Sequence, residues 1–144
     1  MSEPAFVRLV QVFDAPRERV FAAWTEPERL KRWWGPGAFR TTEAEVDLRP
    51  GGRYALTLEP GAMHLAGEFR EVVPPERLVY TWRWVSGVPD TRESLVTVEF
   101  RELGGSTEVV LLHDNFAGPG PVDMYGAGWA SGLEKLGAHL GGEP

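Results

Sequence analysis

The sequence predicts an α+β domain in which a seven-stranded antiparallel sheet wraps around one long C-terminal helix, with two short helices after strand one. Three observations carry this. Between residues 41 and 114 apolar residues recur with a period of two, the spacing that turns one face of a strand toward a core. The turns within that stretch are short and hold no helical pattern, whereas parallel neighbours need a crossover of about a dozen residues or more. From residue 122 to 140 the apolar spacing becomes three and four, the mark of an amphipathic helix.

Residues 6–13 are apolar and β-branched apart from Arg8 and Gln11, and read as the first strand. Asp14-Ala15-Pro16 ends it and opens a helix, because proline's missing N–H has no partner to lose in a first turn. Val20, Phe21 and Trp24 give this helix one apolar face. Thr25-Glu26-Pro27-Glu28 has the form of a capping box, with Thr25 as N-cap of a second helix. That helix carries Leu30, Trp33 and Trp34 and stops at Gly35-Pro36-Gly37. Strands follow near residues 42–48, 53–58, 64–73, 78–85, 93–101 and 106–113. Pro50-Gly51-Gly52, Pro60-Gly61, Pro74-Pro75, Gly87-Val88-Pro89-Asp90 and Gly104-Gly105 are the turns between them. Gly118-Pro119-Gly120-Pro121 leads into the last helix, whose apolar stripe is Val122, Tyr125, Trp129, Leu133, Leu136 and Leu140. Nothing divides the chain, so residues 1–144 are expected to form a single domain.

Composition narrows the function. The chain has no cysteine, which removes disulfides, thiolate catalysis and cysteine-ligated metals together. A net charge of −6 argues against nucleic acid as a partner, since such binders normally present a basic face. No run of about 18 apolar residues exists to span a membrane. Met1-Ser2-Glu3-Pro4 lacks the basic and apolar blocks of a signal peptide, so a cytoplasmic location is expected.

Chemistry-bearing patterns are scarce. Gly126-Ala127-Gly128-Trp129-Ala130-Ser131-Gly132 resembles a dinucleotide-binding glycine pattern, but that motif needs a second strand with an acidic residue about 20 positions on. Too little chain remains for it. Gly128 and Gly132 are instead expected to let the helix approach the sheet closely. Each glycine costs a helix interior about 1 kcal/mol against alanine, so packing must hold this helix. No phosphate-binding loop and no nucleophile elbow occurs. His64, His113 and His139 lack metal-ligand spacing, and His113-Asp114 is the one pair that could orient an imidazole. The serines show no base partner. No catalytic residue, metal or cofactor is therefore singled out, and a binding role is favoured over an enzymatic one.

The aromatics are more informative, with six tryptophans in 144 residues. Leu78, Tyr80, Trp82 and Trp84 share one face of their strand. One helix cannot fill the width of a curved seven-stranded sheet, and the gap beneath it suits a hydrophobic small molecule, lipid-like or aromatic. Its walls are expected among Trp33, Trp34, Phe39, Tyr54, Met63, Phe69, Trp82, Met124, Tyr125 and Trp129, with Arg83 or His113 orienting a polar end. Each aromatic has an ordinary place in a core as its alternative. Arg83 has one in ion pairs on a solvated face.

Taken in order, Ala15-Pro16-Arg17-Glu18-Arg19-Val20-Phe21, Thr25-Glu26-Pro27-Glu28-Arg29-Leu30, Trp33-Trp34-Gly35-Pro36, Asp47-Leu48-Arg49-Pro50-Gly51-Gly52-Arg53-Tyr54, Gly67, Pro75-Glu76-Arg77-Leu78-Val79-Tyr80-Thr81-Trp82 and Gly128-Trp129 with Leu133 form a pattern. It resembles the activator-of-heat-shock-protein-ATPase homologue family within the START/birch-allergen-like (SRPBCC) superfamily. The resemblance implies the helix-grip fold and a cavity, in which superfamily members bind lipids, sterols, hormones or polyketides and some cyclise or hydrolyse them. A cyclase- or hydrolase-type enzyme is thus the alternative to a non-catalytic binder, and a homodimer is admitted. The eukaryotic members that name the family stimulate a chaperone ATPase, but there another domain precedes this one. A chaperone partner is therefore only the minor expectation here.

Overall fold

Seven strands form one antiparallel sheet: β1 (Val7–Phe13), β2 (Arg40–Val46), β3 (Arg53–Glu59), β4 (Met63–Val73), β5 (Arg77–Ser86), β6 (Ser94–Leu103) and β7 (Ser106–Asp114). They lie in the order β1-β7-β6-β5-β4-β3-β2, so consecutive strands are neighbours from β2 onward, and β1 closes against β7. Helices α1 (Arg17–Thr25) and α2 (Pro27–Trp33) follow β1, and α3 (Val122–Gly142) ends the chain. The computed structural model describes residues 6–35, 37–86, 93–114 and 122–142, and for 86, 122–124 and 142 the backbone alone. The expected turns at 87–90 and 118–121 and the side chain of Met124 lie outside these described residues.

The fold is the helix grip that the period switches predict. The sheet curls, and its concave face carries the core through Leu56, Leu58, Leu65, Leu78, Tyr80, Val96, Val98, Phe100, Val109 and Leu111. Fully burying one such side chain stabilises the fold by roughly 1.5–3 kcal/mol. Bulges in the β4–β5 pairing, between His64 and Leu65 and between Phe69 and Glu71, bend the sheet at its middle. Gly67 sits between them. A Cβ there would lie 1.9 Å from the Thr81 carbonyl oxygen and 2.5 Å from Tyr54 Cε1. The Tyr54 hydroxyl donates to that same carbonyl at 2.6 Å, and the Glu68 N–H donates to Thr81 Oγ1 at 2.8 Å.

The helices depart from expectation at one junction. Thr25 is not an N-cap: it is the last residue of α1, and its hydroxyl donates to the Phe21 carbonyl at 2.9 Å. Glu26 takes the N-cap position of α2 with an extended backbone and no side-chain cap bond. The cause is Pro27, whose ring excludes the helical region from the residue before it. Thus α1 must end at Thr25 and α2 starts on the proline. Two bonds then fix α2: Trp33 Nε1–H to the Ala23 carbonyl at 2.8 Å, and Thr41 Oγ1–H to the Trp34 carbonyl at 2.8 Å. The strand expected at 42–48 begins and ends two residues earlier. Asp47 starts a turn in which a Cβ on Gly52 would meet the Asp47 carbonyl oxygen at 2.1 Å.

The C-terminal half of α3 packs as a core helix. Leu133, Leu136 and Leu140 are buried, a Cβ added at Gly137 would lie 3.7 Å from the Phe13 ring, and Arg19 donates to the Leu140 carbonyl at 2.8 Å. The N-terminal half does something else.

Candidate functional site

Between the N-terminal half of α3, the segment after α2, and strands β4 and β5 lies a cavity of about 540 Å³. Trp33, Trp34, Phe39, Met63, Trp82, Trp84, Tyr125 and Trp129 form its walls, with Gly35, Gly37, Ala38, Ala127, Gly128, Ser131 and Gly132 completing the lining. None of these fifteen residues carries a charge. The exposed Gly37, Ala38 and Ala127 mark where it meets solvent. Gly132 shows that the helix is held off the sheet here. The residue is buried, yet a Cβ added to it would meet no atom within 4 Å. The expectation that Gly132 permits close packing is therefore wrong: its missing side chain leaves space in the cavity.

The wall made by residues 35–39 is tied to α3 by two side chains one helical turn apart. The Gly37 N–H donates to Ser131 Oγ at 2.8 Å, and Lys135 Nζ donates to the carbonyls of Gly35 and Phe39 at 2.7 and 3.0 Å. Burial lowers the Lys135 pKa below the ordinary lysine value. Gly35 has φ +137°, and a Cβ there would sit 2.7 Å from the Phe39 carbonyl oxygen, so this turn excludes other residues.

Behind Trp82, Tyr125 and Trp129 lies His113, fully buried. Its Nε2 is 2.7 Å from Ser94 Oγ, a base partner for a serine that the sequence did not disclose. Trp129 Nε1–H donates to His113 Nδ1 at 3.0 Å. An indole nitrogen can only donate, so Nδ1 is the acceptor and the imidazole hydrogen resides on Nε2. His113 therefore donates to Ser94 and is unable to take its proton. Burial holds the His113 pKa down at about 3, so the ring is neutral near pH 7. The pair has the spacing of a nucleophile and its base but the wrong tautomer for either role.

The family described as activator of Hsp90 ATPase homolog 1-like protein matches residues 14–141. The chain belongs to this family. It is similar to the crystal structure of a Chromobacterium violaceum protein (28% identity over 97% of this chain and 100% of that one, TM-score 0.82). It is similar also to the AHSA1 protein of Silicibacter pomeroyi (26%, covering 95% and 98%, TM-score 0.83). A third likeness is to a Rhizobium leguminosarum protein (26%, covering 98% and 97%, TM-score 0.79). No curated protein matches the chain.

In this AHSA1-type chain, seven of the residues expected around a ligand converge on the cavity: Trp33, Trp34, Phe39, Met63, Trp82, Tyr125 and Trp129. Tyr54 and Phe69 do not. They line a separate void of about 30 Å³ deeper under the sheet, room for about one water, where burial raises the Tyr54 pKa well above the ordinary value. His113 stands one layer behind the wall, oriented by Ser94 and Trp129 rather than Asp114. Arg83 is exposed on the convex face, where strand alternation puts it opposite Trp82 and Trp84, so it orients nothing in the cavity. Sequence reasoning left Trp84 and Ser131 out of the site. Trp84 was recoverable, since it shares the inward face of Trp82. Ser131 carried no sequence signal, because its role depends on the Gly37 N–H reaching it from a distant segment.

Proposed function

We propose that the protein binds an apolar small molecule in the cavity beneath α3 and does not transform it. The observation that carries this reading is the lining: about 540 Å³ walled by indoles and other apolar groups, with no charged side chain among the described residues. Ligand sites are typically clefts of ~300–1,000 Å³ with apolar walls and few polar groups. The tautomer of His113 supports binding over hydrolysis, because the Ser–His pair found beside the cavity among the described residues has no free base.

The test is native mass spectrometry of gently purified protein, with Gly132→Leu as its partner. The wild-type chain is expected to carry or accept an apolar ligand at one to one, and Gly132→Leu to lose it while keeping its circular dichroism. If no member of a broad lipid and aromatic panel binds or raises the melting temperature, the reading fails.

A further inference from the structure

We infer that the ligand is an uncharged ring compound bearing a hydrogen-bond acceptor, such as a ketone or ether oxygen, and that the Ser131 hydroxyl receives that acceptor. This rests on the cavity being a binding site and specifies what it admits.

The argument is an inventory of polar groups. Among the described residues no cation faces the cavity: Lys135 is committed to two backbone carbonyls, Arg83 lies on the other face of the sheet, and His113 is neutral with both nitrogens occupied. A carboxylate would be desolvated there without a partner, which is strongly unfavourable. Neutral groups are a different matter. Of the five indoles in the lining, Trp33, Trp84 and Trp129 have their N–H groups bonded, to the Ala23 carbonyl, the Tyr125 hydroxyl and His113. Trp34 Nε1 has no acceptor among the described residues; Trp82 Nε1 has none either, but it is enclosed too tightly for a water-sized group to touch, so it is closed to a ligand as well. Ser131 accepts from the Gly37 N–H, and its own hydrogen has no acceptor among the described residues. The uncommitted groups within a ligand's reach, those of Trp34 and Ser131, are thus donors, and they call for an acceptor. Ser131 is the hydroxyl among them, on the helix face that lines the cavity. Aromatic walls at Trp34, Trp82 and Trp129 suit a ring better than a flexible chain, because aromatic pairs gain from offset and edge contacts.

Three probes with one skeleton separate these claims: 2-acetylnaphthalene, 2-ethylnaphthalene and 2-naphthoate, measured by equilibrium dialysis at pH 7.5. The ketone is expected to bind about three- to tenfold more tightly than the hydrocarbon, the range one neutral hydrogen bond gives. The carboxylate should bind at least about a hundredfold more weakly than the ketone. Ser131→Ala should bring ketone and hydrocarbon together, whereas mere loosening of residues 35–39 would weaken both alike and keep their ratio. Naphthoate binding as well as the ketone, or an unchanged ketone-to-hydrocarbon ratio in Ser131→Ala, overturns the inference while the cavity reading stands. Ketone binding that persists in Gly132→Leu, or binding of none of the three, overturns both.

Discussion

Trp129 donates its indole N–H to Nδ1 of His113 at 3.0 Å, and through that bond a helix residue sets the protonation pattern of a strand residue. The consequence reaches Ser94, whose hydroxyl receives a hydrogen from His113 Nε2 instead of losing one to it. Ring contacts reinforce the geometry, with His113 4.8 Å from Trp82 and 4.9 Å from Tyr125 between centroids.

Acid should weaken the fold through this imidazole. In the unfolded chain a histidine titrates near 6.5, and in the fold burial holds His113 at about 3. Between those values the unfolded chain carries the extra proton. The stabilisation is therefore complete above pH 6.5 and is lost as pH falls toward 3, at up to about 1.4 kcal/mol per pH unit. Urea midpoints across pH 4–7 should fall more steeply for the wild type than for His113→Gln, which keeps an acceptor and a donor without the titration. Equal slopes would remove His113 as the cause.

Trp129→Ala removes a buried indole and leaves His113 Nδ1 without its donor. Truncation of a buried tryptophan costs about 3–5 kcal/mol, and the orphaned acceptor adds to it. Trp129→Phe should lose less, because most of the ring packing survives. Denaturant midpoints in the order wild type, Phe, Ala check this, and a midpoint for Ala within error of wild type would exclude Trp129 from the core.

Gly132→Ala should make the protein more stable. The new methyl enters open space, and the helix gains up to about 1 kcal/mol of propensity. A lower melting temperature for this variant would show that a neighbour fills the space that the cavity occupies.

Gly67→Ala should do the opposite. Its methyl collides with the Thr81 carbonyl and the Tyr54 ring at the bend of β4, and neither can withdraw without breaking the Tyr54–Thr81 bond. Overpacking of this kind costs about 1–3 kcal/mol or more. Thermal denaturation should register the loss, and stability equal to wild type would mean the bend tolerates a side chain.

The fold was legible because its signals are periodic and local: alternation in the strands, three-and-four spacing in the last helix, and glycine or proline at the turns. What escaped was whatever depends on two distant segments meeting. The Thr25 capping box failed because Pro27 constrains Glu26 more strongly than a threonine side chain can reward it. The Ser94–His113 contact joins residues on adjacent strands, and nothing at either position announces the other. Six aromatic wall residues and Met63 could be named from the sequence. Arg83, His113, Tyr54 and Phe69 could not be sorted from them, since their assignment depends on where the sheet bends and how far α3 stands from it.

The ring contacts join all six tryptophans of the chain into one series. Trp33 lies 5.1 Å from Trp24, Trp24 6.1 Å from Trp129, Trp129 6.1 Å from Trp34 and 5.4 Å from Trp82, and Trp82 5.7 Å from Trp84. At such separations ultraviolet excitation absorbed by any one ring migrates among the others before it is emitted. The luminescence of the protein then belongs to the cluster, leaves it depolarised, and is darkened as a whole by a quencher lodged against a single ring. Whatever enters beneath α3 is thereby reported by an optical property of the entire chain.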